Sequence, residues 1–381
     1  MMRTSVKTLG DPFMKRILGL LLWFHLATLP SAFAADAPAL PVVIEPAHPD
    51  LATAGRFTED FRFGWTACNA RVRFRSTAVN AVIRLTRGTR SALQVVVDGE
   101  PTRTVIVTPD QSVYALAEGL PEGEHTVEIW KRTEGFRGEM QLAGFQLNQG
   151  AEVWPAPRAK RRLLVIGDSI SCGYGNEARD IAEGNTVENE NGYLAYGPIA
   201  ARALGAEVMV VAWSGRGLFR NRDLQNDREG VLPELFERTL PMAAEPRWDP
   251  ASFVPDIIVI NLGANDLFRG REKEKPELTR EDYLGAYRNF LGVLRKHFPD
   301  AIVIAAIGPT GDSPIINWLA EFAAAEKNVH ALVFAKREGA EYFGGHWHPS
   351  VAMHRIMAEA LVEKIRAVGG VAWKAPFDPT E

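Results

Sequence analysis

Apolar and polar residues alternate with a period of two through much of 55–147, as in Arg71-Val72-Arg73-Phe74-Arg75 and Thr126-Val127-Glu128-Ile129-Trp130. That is the pattern of antiparallel strands with one face buried and the other solvated. Asp98-Gly99, between Val95-Val96-Val97 and Val105-Ile106-Val107, predicts a hairpin turn, and Gly119, Pro121 and Gly123 punctuate another. A run of roughly 100 residues of this kind suits a β-sandwich.

After the polar stretch 150–160 the pattern changes to continuous apolar runs at 163–166, 208–211, 257–260 and 302–304. Strands apolar on both faces belong in a parallel sheet covered by helices. Helices are expected between them. One covers 283–298, introduced by Thr279 with Asp282 three residues on; another covers 350–368, with Ser350 as N-cap, Met353, Met357, Ala360, Leu361 and Ile365 on one face, and Gly369 as a stop. The expected fold is a doubly wound α/β domain over 156–381 behind a β-sandwich over 35–155. A fold of that kind binds its ligand beyond the carboxyl ends of the strands.

The first residues read differently. Met14-Lys15-Arg16, an apolar run over 17–28 and Ala32-Phe33-Ala34 follow the order of a secretory signal peptide, so 1–34 is expected to be removed near Ala34 and the protein to be secreted or periplasmic. The polar residues 1–13 are unlike the start of such a peptide and place the expected translation start at Met14. The apolar run falls short of the ~20 residues that span a bilayer, so no membrane anchor is expected. No Cys follows the cleavage site, so a lipid anchor there is not expected either.

A composition of 46% hydrophobic and 24% charged residues is ordinary for a globular protein, and a formal charge of −4 gives no reason to expect nucleic acid as partner. The run Arg158, Lys160, Arg161, Arg162 is read as a solvated junction. Cys68 and Cys172 fall on segments assigned to different domains and are read as buried thiols rather than a disulfide, although an exported protein could form one.

Four segments then stand where such a fold assembles its chemistry. Gly167-Asp168-Ser169 follows the first apolar strand, Ser214-Gly215-Arg216-Gly217 the second, Gly263-Ala264-Asn265-Asp266 the third, and His346-Trp347-His348-Pro349-Ser350 precedes the last helix. Each alone is an ordinary turn or cap. Together they hold what acyl transfer requires: a nucleophile in Ser169, a base in His348, and oxyanion donors in the N–H groups of Ser169 and Gly215 and the Asn265 amide. Trp213 and Trp347 could stack on a sugar or be core aromatics; Arg216 and Asn221 could contact substrate or be solvated loop residues. His346, His348 and His354 could suggest a metal, but no matching Cys or His set stands at zinc-like spacing elsewhere and the Ser segment would be left unexplained.

From Leu163 onward the chain resembles the SGNH, or GDSL-type, hydrolases, whose four blocks match Ser169, Gly215, Asn265 and His348. Gly167-Asp-Ser-Ile-Ser-Cys-Gly-Tyr-Gly-Asn176, Ser214-Gly-Arg-Gly217 and Trp347-His-Pro349 resemble carbohydrate esterase family two in particular. His125-Thr-Val-Glu-Ile-Trp-Lys-Arg-Thr-Glu134 and Gly144-Phe145 are similar to the closing strands of that family's jelly-roll domain. The resemblance implies a flavodoxin-like catalytic domain behind a jelly roll. It further implies removal of O-acetyl groups from acetylated polysaccharides or oligosaccharides such as xylan or glucomannan, without metal or organic cofactor. One departure stands out: where many SGNH hydrolases place an Asp three residues before the histidine, this chain has Gly345, and His346 stands where some relatives have Asp. Similar enzymes include some read as Ser–His dyads, in which a main-chain carbonyl takes the orienting role. The competing readings are a general esterase, lipase or thioesterase acting on small acyl esters, and an inert polysaccharide-binding protein.

Overall fold

The computed structural model describes residues 41–374; the expected signal peptide, 1–34, lies outside them. The first part is two antiparallel sheets. One runs in the order Val42–Ile44, Gly138–Leu147, Ala78–Gly88, Val113–Glu118, with Arg62–Phe63 also pairing on Gly138–Leu147. The other runs Glu152–Trp154, Asn69–Arg75, His125–Lys131, Ser91–Val97, Glu100–Val107, with Ala52–Ala54 beside Asn69–Arg75. The period-two pattern becomes burial: Val72 and Phe74 are wholly inside while Arg71 and Arg73 are partly exposed. Val79, Ala81, Ile83, Val95, Val107, Val127 and Phe145 complete that interior. At the predicted hairpin Asp98 and Gly99 have φ of 51° and 86°, the left-handed pair that a two-residue turn between twisted strands demands.

The second part is a five-stranded parallel sheet: β1 (Arg161–Gly167), β2 (Ala206–Ala212), β3 (Ile257–Asn261), β4 (Ile302–Ile307) and β5 (Val329–Val333), in the order 2-1-3-4-5. This is the flavodoxin-like order, whose switch point lies between β1 and β3. Four long helices accompany it: α1 (Tyr196–Ala203), α2 (Arg280–His297), α3 (Pro314–Ala325) and α4 (Val351–Val368). Successive side chains of a strand point to opposite faces, so Leu163, Val165, Val208 and Val259 meet Ala200, Met353, Met357 and Leu361 of α1 and α4. Leu164, Ile166, Met209 and Ile258 share the opposite core with Tyr287, Phe290, Leu319 and Phe322 of α2 and α3.

Helix α2 begins at Arg280, three residues before its expected start, because Thr279 caps it by accepting the Asp282 N–H at 3.1 Å. Acidic Glu281 and Asp282 open that helix and Arg295, Lys296 and His297 close it, both favourable to its dipole. Ser350 caps α4 by accepting the Met353 N–H at 3.4 Å.

Two features of this sheet place the site. Gly167 at the end of β1 pairs with Ala212 of β2 and with Asn261 of β3, so the loops that follow these strands leave the sheet at one level. The sandwich also packs against the α/β part: Trp130 meets Tyr193 edge-on at 5.4 Å, Arg202 lies 5.8 Å over Trp130, and Trp65 meets Trp213 at 6.4 Å. Cys68 and Cys172 are both buried free thiols.

Candidate active site

Ser169 opens a single helical turn, Ser169–Cys172, directly beyond β1. Asp168 caps that turn by accepting the Ile170 N–H at 3.0 Å. Gly167 is needed for space rather than for a left-handed φ: a Cβ there would stand 1.9 Å from Ser171 Oγ. The Ser169 N–H has no protein partner among the described residues, and neither has that of Gly215, the residue after Ser214 that the φ of 80° suits to glycine.

His348 reaches Ser169 across the strand ends, with Nε2 2.8 Å from Oγ. Its other ring nitrogen, Nδ1, lies 3.2 Å from the carbonyl oxygens of both Gly345 and His346. If Nδ1 carries the proton, it donates to these carbonyls and leaves Nε2 as the acceptor for the serine hydroxyl. A local conformation makes this possible: His346 and Trp347 are consecutive non-glycine residues at φ of 51° and 64°, a tight turn that brings both carbonyls back towards the ring. Tyr174 stacks on His348 at 4.1 Å and donates or accepts a hydrogen bond with His346 Nδ1 at 2.9 Å. Burial holds His348 well below the ordinary imidazole range, at about 4; the carbonyls oppose that shift and the cation of Arg222 adds to it.

The structure also gives a reason for the missing acid. A Cβ on Gly345 would stand 1.9 Å from the carbonyl oxygen of Gly184, and the Gly345 N–H donates to Gly175 O at 2.9 Å. The backbone of the 175–184 loop fills the space in which an aspartate at 345 would begin.

Asn265 lies in the turn after β3, where Gly263 has φ of 140°. Its Nδ2 donates to Arg216 O at 2.8 Å and to Asp168 Oδ2 at 3.2 Å, which ties the first three segments together. Asp168 is buried, and burial, with Asp266 nearby, lifts its carboxyl to about 7. Asp266 is wholly buried and accepts the N–H groups of Leu218, Phe219 and Arg220 at 3.0, 2.6 and 3.0 Å. It anchors the loop that follows Gly215.

Ser169, Asn265, His348 and Trp347 line one cleft of about 190 Å³, with Arg222, Tyr342, Phe343 and Lys336 also on its wall. Trp347 is 67% exposed, with Phe343 edge-on at 5.4 Å. Trp213 and Arg216 are not on this wall: Trp213 packs on Trp65, and Arg216 lies over Trp213 and donates to Glu229 O. Asn221 is buried, accepting the Gly217 N–H and donating to Glu229 O. His346, His348 and His354 face three different partners: His346 Tyr174, His348 Ser169, and His354 the N–H of Tyr196.

Sequence reasoning missed Tyr174, Asp168, Asp266, Arg222 and Glu134. Asp168 and Asp266 adjoin motif residues and could have been asked what they cap. Glu134 could not, because it arrives from the sandwich: its carboxylate accepts the Ser214 N–H at 2.6 Å and the Ser214 hydroxyl.

The family model described as Carbohydrate esterase 2 N-terminal matches residues 53–157, and that of the GDSL-like Lipase/Acylhydrolase family matches 165–356, half of the chain. The chain is 33% identical over 335 residues to Cellulase/esterase CelE of Acetivibrio thermocellus, covering 84% of this chain but only 39% of that protein. It is 29% identical over 286 residues to an Acetylxylan esterase / glucomannan deacetylase of Cellvibrio japonicus, covering 73% of this chain and 76% of that one. A solved family two carbohydrate esterase from Clostridium thermocellum, in complex with cellohexaose, superposes with a TM-score of 0.76 at 31% identity, covering 83% of this chain and 98% of that chain. With both family models in chain order and this likeness over almost the whole of a solved member, the chain belongs to carbohydrate esterase family two, with a GDSL-type hydrolase domain behind the family's N-terminal domain.

Proposed function

We propose that this protein is a serine esterase that removes O-acetyl groups from polysaccharide through an acyl-enzyme. The observation that carries the reading is the 2.8 Å contact of Ser169 Oγ with His348 Nε2 on the cleft wall; the N–H groups of Ser169 and Gly215 have no protein partner among the described residues. Ser169 attacks the acetyl carbonyl as His348 takes its proton. The resulting oxyanion is held by the two N–H groups and by Asn265 Nδ2. His348 returns the proton to the leaving sugar hydroxyl, and the bond from carbonyl carbon to sugar oxygen breaks. Water, deprotonated by the same imidazole, then releases acetate and frees Ser169.

Asn265 has two amide protons, and Arg216 O and Asp168 Oδ2 accept them. The bond to Asp168 is the longer and yields first to the oxyanion. Protonation of Asp168 near neutral pH weakens it further. The two main-chain carbonyls behind Nδ1 replace the acid of a triad: they fix the tautomer, but as partial charges they stabilise imidazolium less than a carboxylate would.

A carbohydrate substrate is supported by the named activities of the relatives and by Trp347, whose exposed ring offers a sugar face a stacking surface. Xylan and glucomannan are the substrates we propose on the name of the Cellvibrio relative. Export through the expected signal peptide would place the protein with such polymers. No helix among the described residues is long and apolar enough to cross a membrane. Acetate release from acetylated xylan and glucomannan, set beside hydrolysis of a long-chain aryl ester, tests the reading. We expect acetate from at least one polymer and little turnover of the long-chain ester. Polymer binding with no acetate released, and no turnover of a simple aryl acetate, would leave an inert binding protein instead.

A further inference from the structure

Glu134 of the sandwich domain reaches across to the segment that precedes Gly215. Glu134 follows the strand His125–Lys131 and is 1% exposed. One carboxylate oxygen accepts the Ser214 N–H at 2.6 Å and the other accepts the Ser214 hydroxyl. Ser214 precedes Gly215, and the next carbonyl along, Arg216 O, accepts Asn265 Nδ2 at 2.8 Å. The tripeptide 214–216 is thus clamped at both ends, by the sandwich on one side and by the third motif on the other. Its middle N–H, that of Gly215, has no protein partner among the described residues. Glycine at φ 80° is conformationally permissive, so the direction of that N–H is set by what holds its neighbours.

Glu134 is itself held rigidly. Its N–H donates to Glu190 Oε1 at 2.5 Å, and its carbonyl accepts from buried Lys131 Nζ at 3.1 Å. Glu190 in turn accepts from Asn185 Nδ2 at 2.8 Å and pairs with Arg137 at 3.5 Å. A residue needed only to join two domains would be redundant here. Arg132 already reaches from the sandwich to Glu177 and to the carbonyls of Glu188 and Glu190, and Trp130 packs on Tyr193. What Glu134 adds is a charge-assisted, two-oxygen grip on the residue before the oxyanion donor.

We propose that Glu134 is a positioning residue for the oxyanion hole, so that the sandwich domain completes the catalytic apparatus of its neighbour rather than serving only as packing or as a polysaccharide anchor. The inference rests on the serine-esterase reading of Ser169 and Gly215. A glutamine at 134 keeps the volume but loses the negative charge that strengthens both contacts: its one oxygen can accept the Ser214 N–H, while its amide can only donate to the Ser214 hydroxyl oxygen, which reverses and weakens that bond. Misaiming the Gly215 N–H then falls on the transition state more than on ground-state binding.

The test compares wild type with Glu134→Gln, Ser214→Ala and the double variant on a soluble aryl acetate, each below its measured melting temperature. Alongside the kinetics, the affinity of a methylboronic acid that forms a tetrahedral adduct with the serine is measured. We expect Glu134→Gln to lower kcat about 10- to 100-fold with KM within about threefold, to weaken the boronate in parallel, and to add little further loss in the double variant. If Glu134→Gln fails to fold, the same split of kcat from KM in Ser214→Ala, which leaves the carboxylate and its N–H contact in place, supports the proposal. Retention of kcat and boronate affinity by a folded Glu134→Gln, or by Ser214→Ala where the first does not fold, overturns it and leaves Glu134 a domain contact. Wild type that never hydrolyses the aryl acetate would instead remove the esterase reading beneath it.

Discussion

Titration towards acid perturbs two groups of this site whose proton affinities burial has moved in opposite directions. His348 is pushed down to about 4 and Asp168 lifted to about 7. An imidazole of ordinary pKa would be only about one-tenth in its basic form at pH 5.5, whereas one near 4 is still almost wholly neutral there. The limb of kcat/KM that reports the base should therefore fall near pH 4, well below the position of an unperturbed histidine. Asp168 takes up its proton in the window in which His348 does not, and that proton releases Asn265 rather than disabling the base. Activity from pH 7 to 5 should hold or rise. The assay is initial-rate hydrolysis of a soluble aryl acetate from pH 3.5 to 8 at constant ionic strength, for wild type, Asp168→Asn and Arg222→Gln. Arg222→Gln should move the limb upward, since that cation opposes imidazolium and acts after burial as a cause. A wild-type limb at pH 6 to 7 that persists in Asp168→Asn would refute the reasoning, because it would show His348 solvated and unperturbed. Stability follows by linkage. Between about 4 and its unfolded value His348 binds its proton more readily in the unfolded chain, so its contribution rises with pH; Asp168 binds its proton more readily in the folded chain between its ordinary range and about 7, so its contribution falls across that window.

Ser169→Ala should leave a folded protein with almost no turnover, measured by acetate release beside circular dichroism, since among the described residues no other nucleophile is hydrogen-bonded to His348 Nε2. Asn265→Ala should lower kcat by about 10²–10³ with less change in KM; a change confined to KM would make Asn265 a binding residue. His348→Ala should nearly abolish activity while His346→Ala retains most of it at the same pH, because the part of His346 that faces His348 is its main-chain carbonyl and not its ring. Gly345→Asp restores the acid of related hydrolases at the level of sequence, yet its Cβ would collide with Gly184 O. We expect it to lower both melting temperature and kcat, and a gain in kcat would show that the 175–184 loop yields.

The sequence patterns were most informative where burial is uniform. The strands 163–166, 208–211, 257–260 and 302–304 are apolar on both faces because helices cover both, and each lies inside an observed strand. The edge strand β5 was not legible: Val333 is 43% exposed and the strand carries His330, so it has neither the apolar run nor a clean alternation. Caps were legible because their chemistry is local, as at Thr279 and Ser350. Trp213 and Trp347 look alike in sequence, each beside a motif residue, yet one packs on Trp65 and the other is exposed at the cleft.

By itself the sequence determined the two classes of sheet, the order of the elements and which residue types gather at the strand ends, because periodicity, capping and turn chemistry are properties of neighbouring residues. Tertiary structure alone decided which groups meet His348 Nδ1 and what grips the residue before Gly215. The two carbonyls at His348 Nδ1 depend on a left-handed turn at His346 and Trp347, and the grip on Ser214 comes from Glu134, 80 residues away in the chain. Main-chain groups carry no sequence signature and a side chain's reach across a domain boundary has no period, so both become visible only when the chain is folded.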